Sequence, residues 1–218
     1  MILRILAPNI KSDLKKVYDL NDIRRAAKRT DSDISGYHFC DCVLESEDMS
    51  YLSFINCTFE NCVFSECDFE KTSFVDVRFI STDFSNAKMN SAYFSRCEIR
   101  SSKLLGVDLI DCVLQNLVIE SSNCSYAIFD SSKISSTCFK NSDFSGAEIV
   151  SSSLKAFTTS GCKYVGTSFF RTALSGVDFS DSIISGLKVS DTFRELRNAI
   201  FAPSQAVELS LLLGITIK

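Results

Sequence analysis

His38 is the only imidazole in this chain of 218 residues, and ten cysteines are its only thiols. A nucleophilic enzyme would pair one of these groups with a base and with donors for a developing oxyanion. A structural zinc site would bring two of them within two to four residues of each other, and then repeat the pair. Neither pattern is present. No Cys-x-x-Cys occurs, Cys40-Asp41-Cys42 is the nearest approach to a ligand pair, and there is no glycine-rich phosphate loop. His38 reads as a solvated junction residue and not as a general base. The expectation is a non-enzymatic protein with no catalytic residue, metal site or cofactor.

Charge is the other chemistry on offer. Residues 37–70 hold eight acids and no Lys or Arg, whereas residues 71–192 hold twelve acids and twelve bases. Asp41, Glu45, Asp48, Glu60, Glu66, Asp68 and Glu70 therefore form a candidate patch for a basic partner. The alternative is neutralisation by Arg24, Arg25, Lys28 and Arg29, just upstream. Asp48, Asp68, Asp108 and Glu148 are spaced by multiples of twenty, a preference that local turn hydrogen bonds explain. No basic stripe is present, so direct nucleic-acid binding is not expected.

The element that must carry these groups has a period of five. From Phe39 to Val189 every fifth residue is a candidate core residue: 29 of 31 positions hold Phe, Tyr, Leu, Ile, Met or Val, the exceptions being Cys124 and Thr159. Two residues before each, 25 of 31 positions hold Cys, Ser, Thr, Ala or Val. Five residues rotate a helix by about 500°, so no stripe forms on one. On a continuous strand, residues five apart face opposite ways. The pattern works only if the chain turns a corner in every five residues, with the small and large residues pointing inward. Four such sides close a square coil of twenty residues, and 31 sides give nearly eight coils, a rod about 38 Å long at strand spacing. At 157–159 the two roles exchange, Phe157 taking the small slot and Thr159 the large one, which keeps volume roughly constant. Leu52, Leu117 and Leu187 are also large for their slots, and Glu47 is placed inward, where an unpaired carboxylate is costly. Seven cysteines (42, 57, 62, 67, 97, 112 and 162) fill small slots and Cys124 a large one, as free thiols do when they act as small buried hydrophobes.

Quintets such as Cys67-Asp68-Phe69-Glu70-Lys71, Thr82-Asp83-Phe84-Ser85-Asn86, Ser142-Asp143-Phe144-Ser145-Gly146 and Val177-Asp178-Phe179-Ser180-Asp181 resemble the motif of the pentapeptide-repeat family. The resemblance covers about 70% of the chain and implies an all-β fold, a right-handed quadrilateral β-helix of about eight coils. One subgroup of that family, the quinolone-resistance (Qnr) and mycobacterial (Mfp) proteins, binds DNA gyrase or topoisomerase IV as an acidic rod resembling duplex DNA. A duplex 38 Å long carries on the order of 22 negative charges. Residues 37–192 carry 20 acids and 12 bases, a net of −8. The Qnr proteins also carry loops that interrupt the register; here the register is unbroken, closer to the mycobacterial type.

Residues 1–36 stand outside the repeat and read as an N-terminal cap with a net charge of +3. Met1–Ala7 is expected as a strand and Asn21–Thr30 as a short helix, with Asn21 as its cap residue. Residues 37–192 form the β-helix. Residues 193–218 are expected to hold a helix started by Pro203 and stopped by Gly214, then a strand at Ile215–Ile217. This tail resembles the helix through which several bacterial family members form homodimers, with Val207, Leu209, Leu211, Leu212, Leu213 and Ile215 as the candidate interface; the alternative is a helix that caps its own coil. No segment has the apolar length of a membrane span and Met1–Lys16 lacks a signal-peptide pattern, so a cytoplasmic protein is expected. The expected function is protein binding, with a type II topoisomerase as candidate partner and an unrelated scaffolding role as the alternative.

Overall fold

The computed structural model describes residues 5–216. Parallel pairing at an offset of twenty dominates it. The strands are β1 (Lys15–Val17), β2 (Ile34–Ser35), β3 (Tyr37–Cys40), β4 (Ser53–Glu60), β5 (Ser73–Ile80), β6 (Tyr93–Arg100), β7 (Val113–Glu120), β8 (Lys133–Lys140) and β9 (Ser153–Ser160). From β3 to β9 each pairs with the next, so that Phe54 lies on Phe74 and Phe74 on Phe94. The result is a parallel β-solenoid of about seven turns, slightly fewer than the eight expected. Bridges such as Val63↔Asp83 and Asp68↔Lys88 join successive coils on the remaining sides.

The inward slots hold as expected. In the large series only Leu154 and Val189 are half-buried; every other member is buried. Phenylalanines stack along the axis at ring separations of 4.8–5.5 Å in Phe39–Phe59–Phe79 and Phe54–Phe74–Phe94. In the small slots, hydroxyl and thiol groups reach the carbonyl of the large residue one coil back. Thr72 donates to Met49 O at 2.9 Å, Ser132 to Leu109 O at 2.7 Å, Thr167 to Phe144 O at 2.7 Å and Cys112 to Met89 O at 3.0 Å. A small polar residue is satisfied there without leaving the core, which explains why Ser, Thr and Cys share the slot with Ala and Val. Phe157 lies edge-on to Phe139, and Thr159 opposite is buried, so the exchanged pair fills its layer.

The corner is a single residue, two after each large one. In 29 of the 31 quintets it adopts the left-handed region, from Asp41 to Gly186, the exceptions being Asp181 and Asp191. No Val, Ile or Thr occurs in that column, and seven of the chain's eight glycines do, counting Gly36 one step upstream. Asn, Asp, Ser and Gly tolerate this conformation, whereas β-branched residues are strained in it. Asp in the slot before the large residue supports the same turn. Asp68 Oδ1 accepts the Glu70 N–H at 2.8 Å, and Asp83 Oδ1 accepts the Ser85 N–H at 2.9 Å and its hydroxyl at 2.6 Å.

Both ends depart from expectation in detail. Ile5–Ala7 form no strand, and Met1–Arg4 lie outside the described residues. Instead, residues 6–11 run along the outside of the rod on one corner column. Lys11 N–H donates to Asn56 Oδ1 at 2.8 Å, Asn9 N–H to Asp76 Oδ1 at 2.9 Å and Leu6 N–H to Asn116 Oδ1 at 3.2 Å. β1 then pairs with β3 over the first coil, and helix α1 (Asn21–Thr30) follows. Asn21 is its first helical residue and not its cap: Leu20 holds that position, and the Asp19 carboxylate accepts the Asn21 N–H at 2.8 Å. Ile34 pairs with Phe54, which extends the large series one quintet upstream of Phe39.

At the far end, residues 193–201 lay one more side on the last coil. Phe201 stacks on Phe179 at 5.6 Å, and the buried Gln205 amide donates to Phe179 O and Ser182 O at 2.9 and 2.7 Å. The turn Pro203–Gln205 leads into helix α2 (Ala206–Leu212), which stops at Gly214 with φ 71°. Ile215 and Thr216 form no strand, and Ile217 lies outside the described residues.

Candidate functional site

The register determines where the acidic residues go, and it wraps them around the first coils. Asp41 and Glu60 belong to one side, Glu45 and Glu66 to the next, and Asp48, Asp68 and Glu70 to the third. Asp41, Glu45, Asp48 and Glu66 are exposed; Glu60, Asp68 and Glu70 are half-buried. The N-terminal helix neutralises part of this charge. Arg24, itself buried, reaches the Glu47 carboxylate and donates to Asp48 O at 3.1 Å; the Glu47 side chain is 43% exposed and not inward as the register suggested, because it turns outward to meet this cap cation. Lys28 Nζ lies 2.6 Å from Asp48 Oδ1. Burial works against ionisation of Asp48, but Lys28 and Ser50 overcome it and hold its pKa at about 2. Glu70 pairs with Lys71 at 3.0 Å. Asp41, Glu45, Glu66 and Asp68 have no cationic partner among the described residues.

Beyond the first coils the outer columns alternate in sign. On one side Arg78, Glu98, Arg100, Glu120 and Lys140 form a continuous ladder of ion pairs at 2.8–3.3 Å. On others, Asp76 holds Arg96 through two bonds of 2.7 Å, and Lys103 meets Asp83 at 3.1 Å. Asp68, Lys88 and Asp108 follow one another across three coils. No continuous acidic stripe runs the length of the described rod.

His38 sits at the lower end of the ladder. Its Nε2 lies 2.9 Å from Glu60 Oε2, and the Cys40 thiol, opposite Glu60 in the β3–β4 pairing, completes a group whose donor atoms all lie within 4.8 Å of one another. Linear spacing hides this group, because Glu60 is twenty-two residues from His38. Cys42, by contrast, faces the core and donates to Cys40 O and Val17 O. All ten cysteines are free and all but Cys138 are buried.

Helix α2 divides the predicted apolar interface in two. Leu209 and Leu212 pack against the core of their own chain. Val207, Leu211, Leu213 and Ile215 are 50–57% exposed, and Ile200 nearby is 49% exposed. An open hollow of about 450 Å³ on the described surface is lined by Phe170, Arg171, Ser190 and Arg194. No described helix is long and apolar enough to cross a membrane.

Residues 48–124, nearly four of the twenty-residue coils, match the family model of the pentapeptide repeat region. That stretch is a pentapeptide repeat region. No curated protein sequence matches it. Its fold is similar to that of a trypsin-treated form of QnrB1, a plasmid-mediated fluoroquinolone resistance protein. The two are 20% identical, with a TM-score of 0.55 over 84% of this chain and 91% of that one. It is similar also to HetL, a pentapeptide-repeat protein involved in heterocyst differentiation regulation from the cyanobacterium Nostoc sp. strain PCC 7120. There the identity is 12% and the TM-score 0.50 over 85% and 95% of the two chains. At these identities the likeness concerns the architecture of the rod, not its partners.

Proposed function

We propose that this protein is a non-enzymatic binding rod, in the cytoplasm, that presents its first coils to the basic surface of a protein partner. The observation that carries the reading is the set of acids, Asp41, Glu45, Glu66 and Asp68, that remain without a cation after the N-terminal helix has docked. A basic groove would gain charge-assisted contacts there, and steering by the field of the patch would speed encounter. A groove that normally holds duplex DNA has this character, so a type II topoisomerase, DNA gyrase or topoisomerase IV, is the candidate partner, and the rod mimics duplex DNA over its acidic end only. The ion-paired ladder from Arg78 to Lys140 supports a second reading, a scaffold for an unrelated protein, because a full-length mimic would leave that column acidic.

Self-association fits both readings. The exposed side of α2, with Val207, Leu211, Leu213 and Ile215, would close against its copy across a two-fold axis and place an acidic end at each extremity.

The experiment is a gyrase supercoiling assay with and without a fluoroquinolone, run with the wild type and with a Glu45→Lys/Glu66→Lys variant. These two carboxylates are exposed and hold no backbone turn, so their reversal should leave the fold intact. Inhibition or drug protection that the variant loses supports topoisomerase binding through the acidic coils. No effect at about ten micromolar protein, roughly tenfold above the Kd of a micromolar complex, leaves the scaffold reading.

A further inference from the structure

We propose that His38, Cys40 and Glu60 form a binding site for a borderline divalent cation of the Zn²⁺ type. The three donors come from two adjacent strands by register alone. His38 and Cys40 are two apart on β3, and therefore on one side of it, and Glu60 lies directly opposite Cys40 on β4. Their nitrogen, sulfur and oxygen atoms lie within 4.8 Å of one another, with the His38–Glu60 edge at 2.9 Å. A tetrahedron with zinc bonds of about 2.0–2.3 Å has edges of about 3.3–3.8 Å, so modest rotamer shifts convert the group into three corners of one. One imidazole, one thiolate and one carboxylate suit Zn²⁺ and Co²⁺ better than Mg²⁺ or Ca²⁺, and three protein ligands leave a fourth position open.

The repeat accounts for neither the cysteine nor its place. Eight cysteines fill inward slots; Cys40 and Cys138 do not. Coil by coil, the column of Cys40 continues with Glu60, Ile80, Arg100, Glu120 and Lys140, of which Arg100, Glu120 and Lys140 are rungs of the ion-pair ladder. Cys40 cannot serve as such a rung in its thiol form, and its one hydrogen bond, to His38 O, is long at 3.8 Å. Lys16, opposite His38 on β1, is the cation nearest in register, and its ammonium lies over the Tyr18 ring at 5.3 Å, leaving His38 and Glu60 to each other.

The test is titration of the full chain, made without a polyhistidine tag, with Co²⁺ and then Zn²⁺. The expected result is one equivalent of Co²⁺, a thiolate-to-cobalt charge-transfer band, and its loss on adding Zn²⁺. Cys40→Ser, nearly isosteric, should abolish the band. His38→Ala and Glu60→Gln should each weaken binding by at least about tenfold, since even an outer-shell partner is worth that much. Absence of a band in millimolar Co²⁺ overturns the proposal, as does a band that persists in Cys40→Ser. Should His38→Ala unfold, the wild-type spectrum and the Cys40→Ser variant decide the matter without it.

Discussion

Thr159 and Tyr164 meet by their hydroxyl groups, 2.7 Å apart, inside the stacked aromatic core. Tyr164 is fully buried and stacks on Phe144 at 5.5 Å, so its phenol has no water to turn to, and burial raises its pKa well above the usual phenol range. A residue of ordinary size in the large slot of quintet 157–161 would exclude that hydroxyl. Thr159 leaves it room and a partner, while Phe157 restores the missing volume from the small slot. Tyr164→Phe strands the Thr159 hydroxyl and should cost about 1–3 kcal/mol. In the Tyr164→Phe/Thr159→Val double variant both polar groups are gone, and most of the loss should return. Denaturant midpoints of the four proteins of this cycle measure the effect, and additive losses would contradict the pairing.

Truncation in the column itself should be more costly. Phe69 and Phe139 are buried between rings above, below or beside them, and the rod cannot collapse around a gap without breaking its twenty-residue register. Phe69→Ala and Phe139→Ala are each expected to lose about 3–5 kcal/mol by cavity formation. Unchanged unfolding midpoints in both variants would be incompatible with a stacked core.

These two sites mark how far the sequence could be read. The Phe157–Thr159 exchange was legible because the period assigns each position a slot, and the same reasoning flagged Glu47 as a carboxylate that needed a cation. The single corner residue was not read from the period, although its column carries a signal: seven glycines and no β-branched residue fall in it. What could not be read depends on contacts the period does not encode. The arm from Leu6 to Lys11 is held by backbone N–H groups on Asn56, Asp76 and Asn116, so its own side chains carry no trace of the docking. The approach of His38 to Glu60 needs the stacking register between the coils, which spacing along one strand does not reveal. The division of α2 into inward Leu209 and Leu212 and outward Val207 and Leu211 needed the path of residues 193–205 over the last coil.

Acid should loosen the docking of α1 before it unfolds the rod. The Asp48 carboxyl is held at about 2 against an ordinary 3.8: burial opposes the shift, and Lys28 and Ser50 more than compensate. A depressed folded-state pKa gives stability that is complete above the unfolded value and is lost as pH falls through the folded one. The relevant window therefore runs from about 4 down to about 2. Across it, amide exchange in α1 should accelerate in the wild type, while Asp48→Asn should already exchange faster at pH 6 and change less in the window. A variant whose exchange matches the wild type at pH 6 would show that the Lys28–Asp48 pair does not hold the helix.

Cysteine chemistry offers an independent check on the inward slots. Burial pushes the Cys57 thiol up to about 11 and those of Cys97 and Cys112 to about 12. Near pH 8 the thiolate fraction at such sites is roughly a thousandth or less, against about a quarter for a free thiol. The thiolate is the reactive form, so chemical and steric protection act together. Only Cys138 is half-exposed. Native protein treated briefly with N-ethylmaleimide should take up about one equivalent, at Cys138, and unfolded protein all ten. Peptide mapping would locate the label. Rapid labelling of Cys62, Cys97 or Cys112 in the native state would mean that the coils open locally, and the small slots could not then be the dry, hydrogen-bonded positions that set the register.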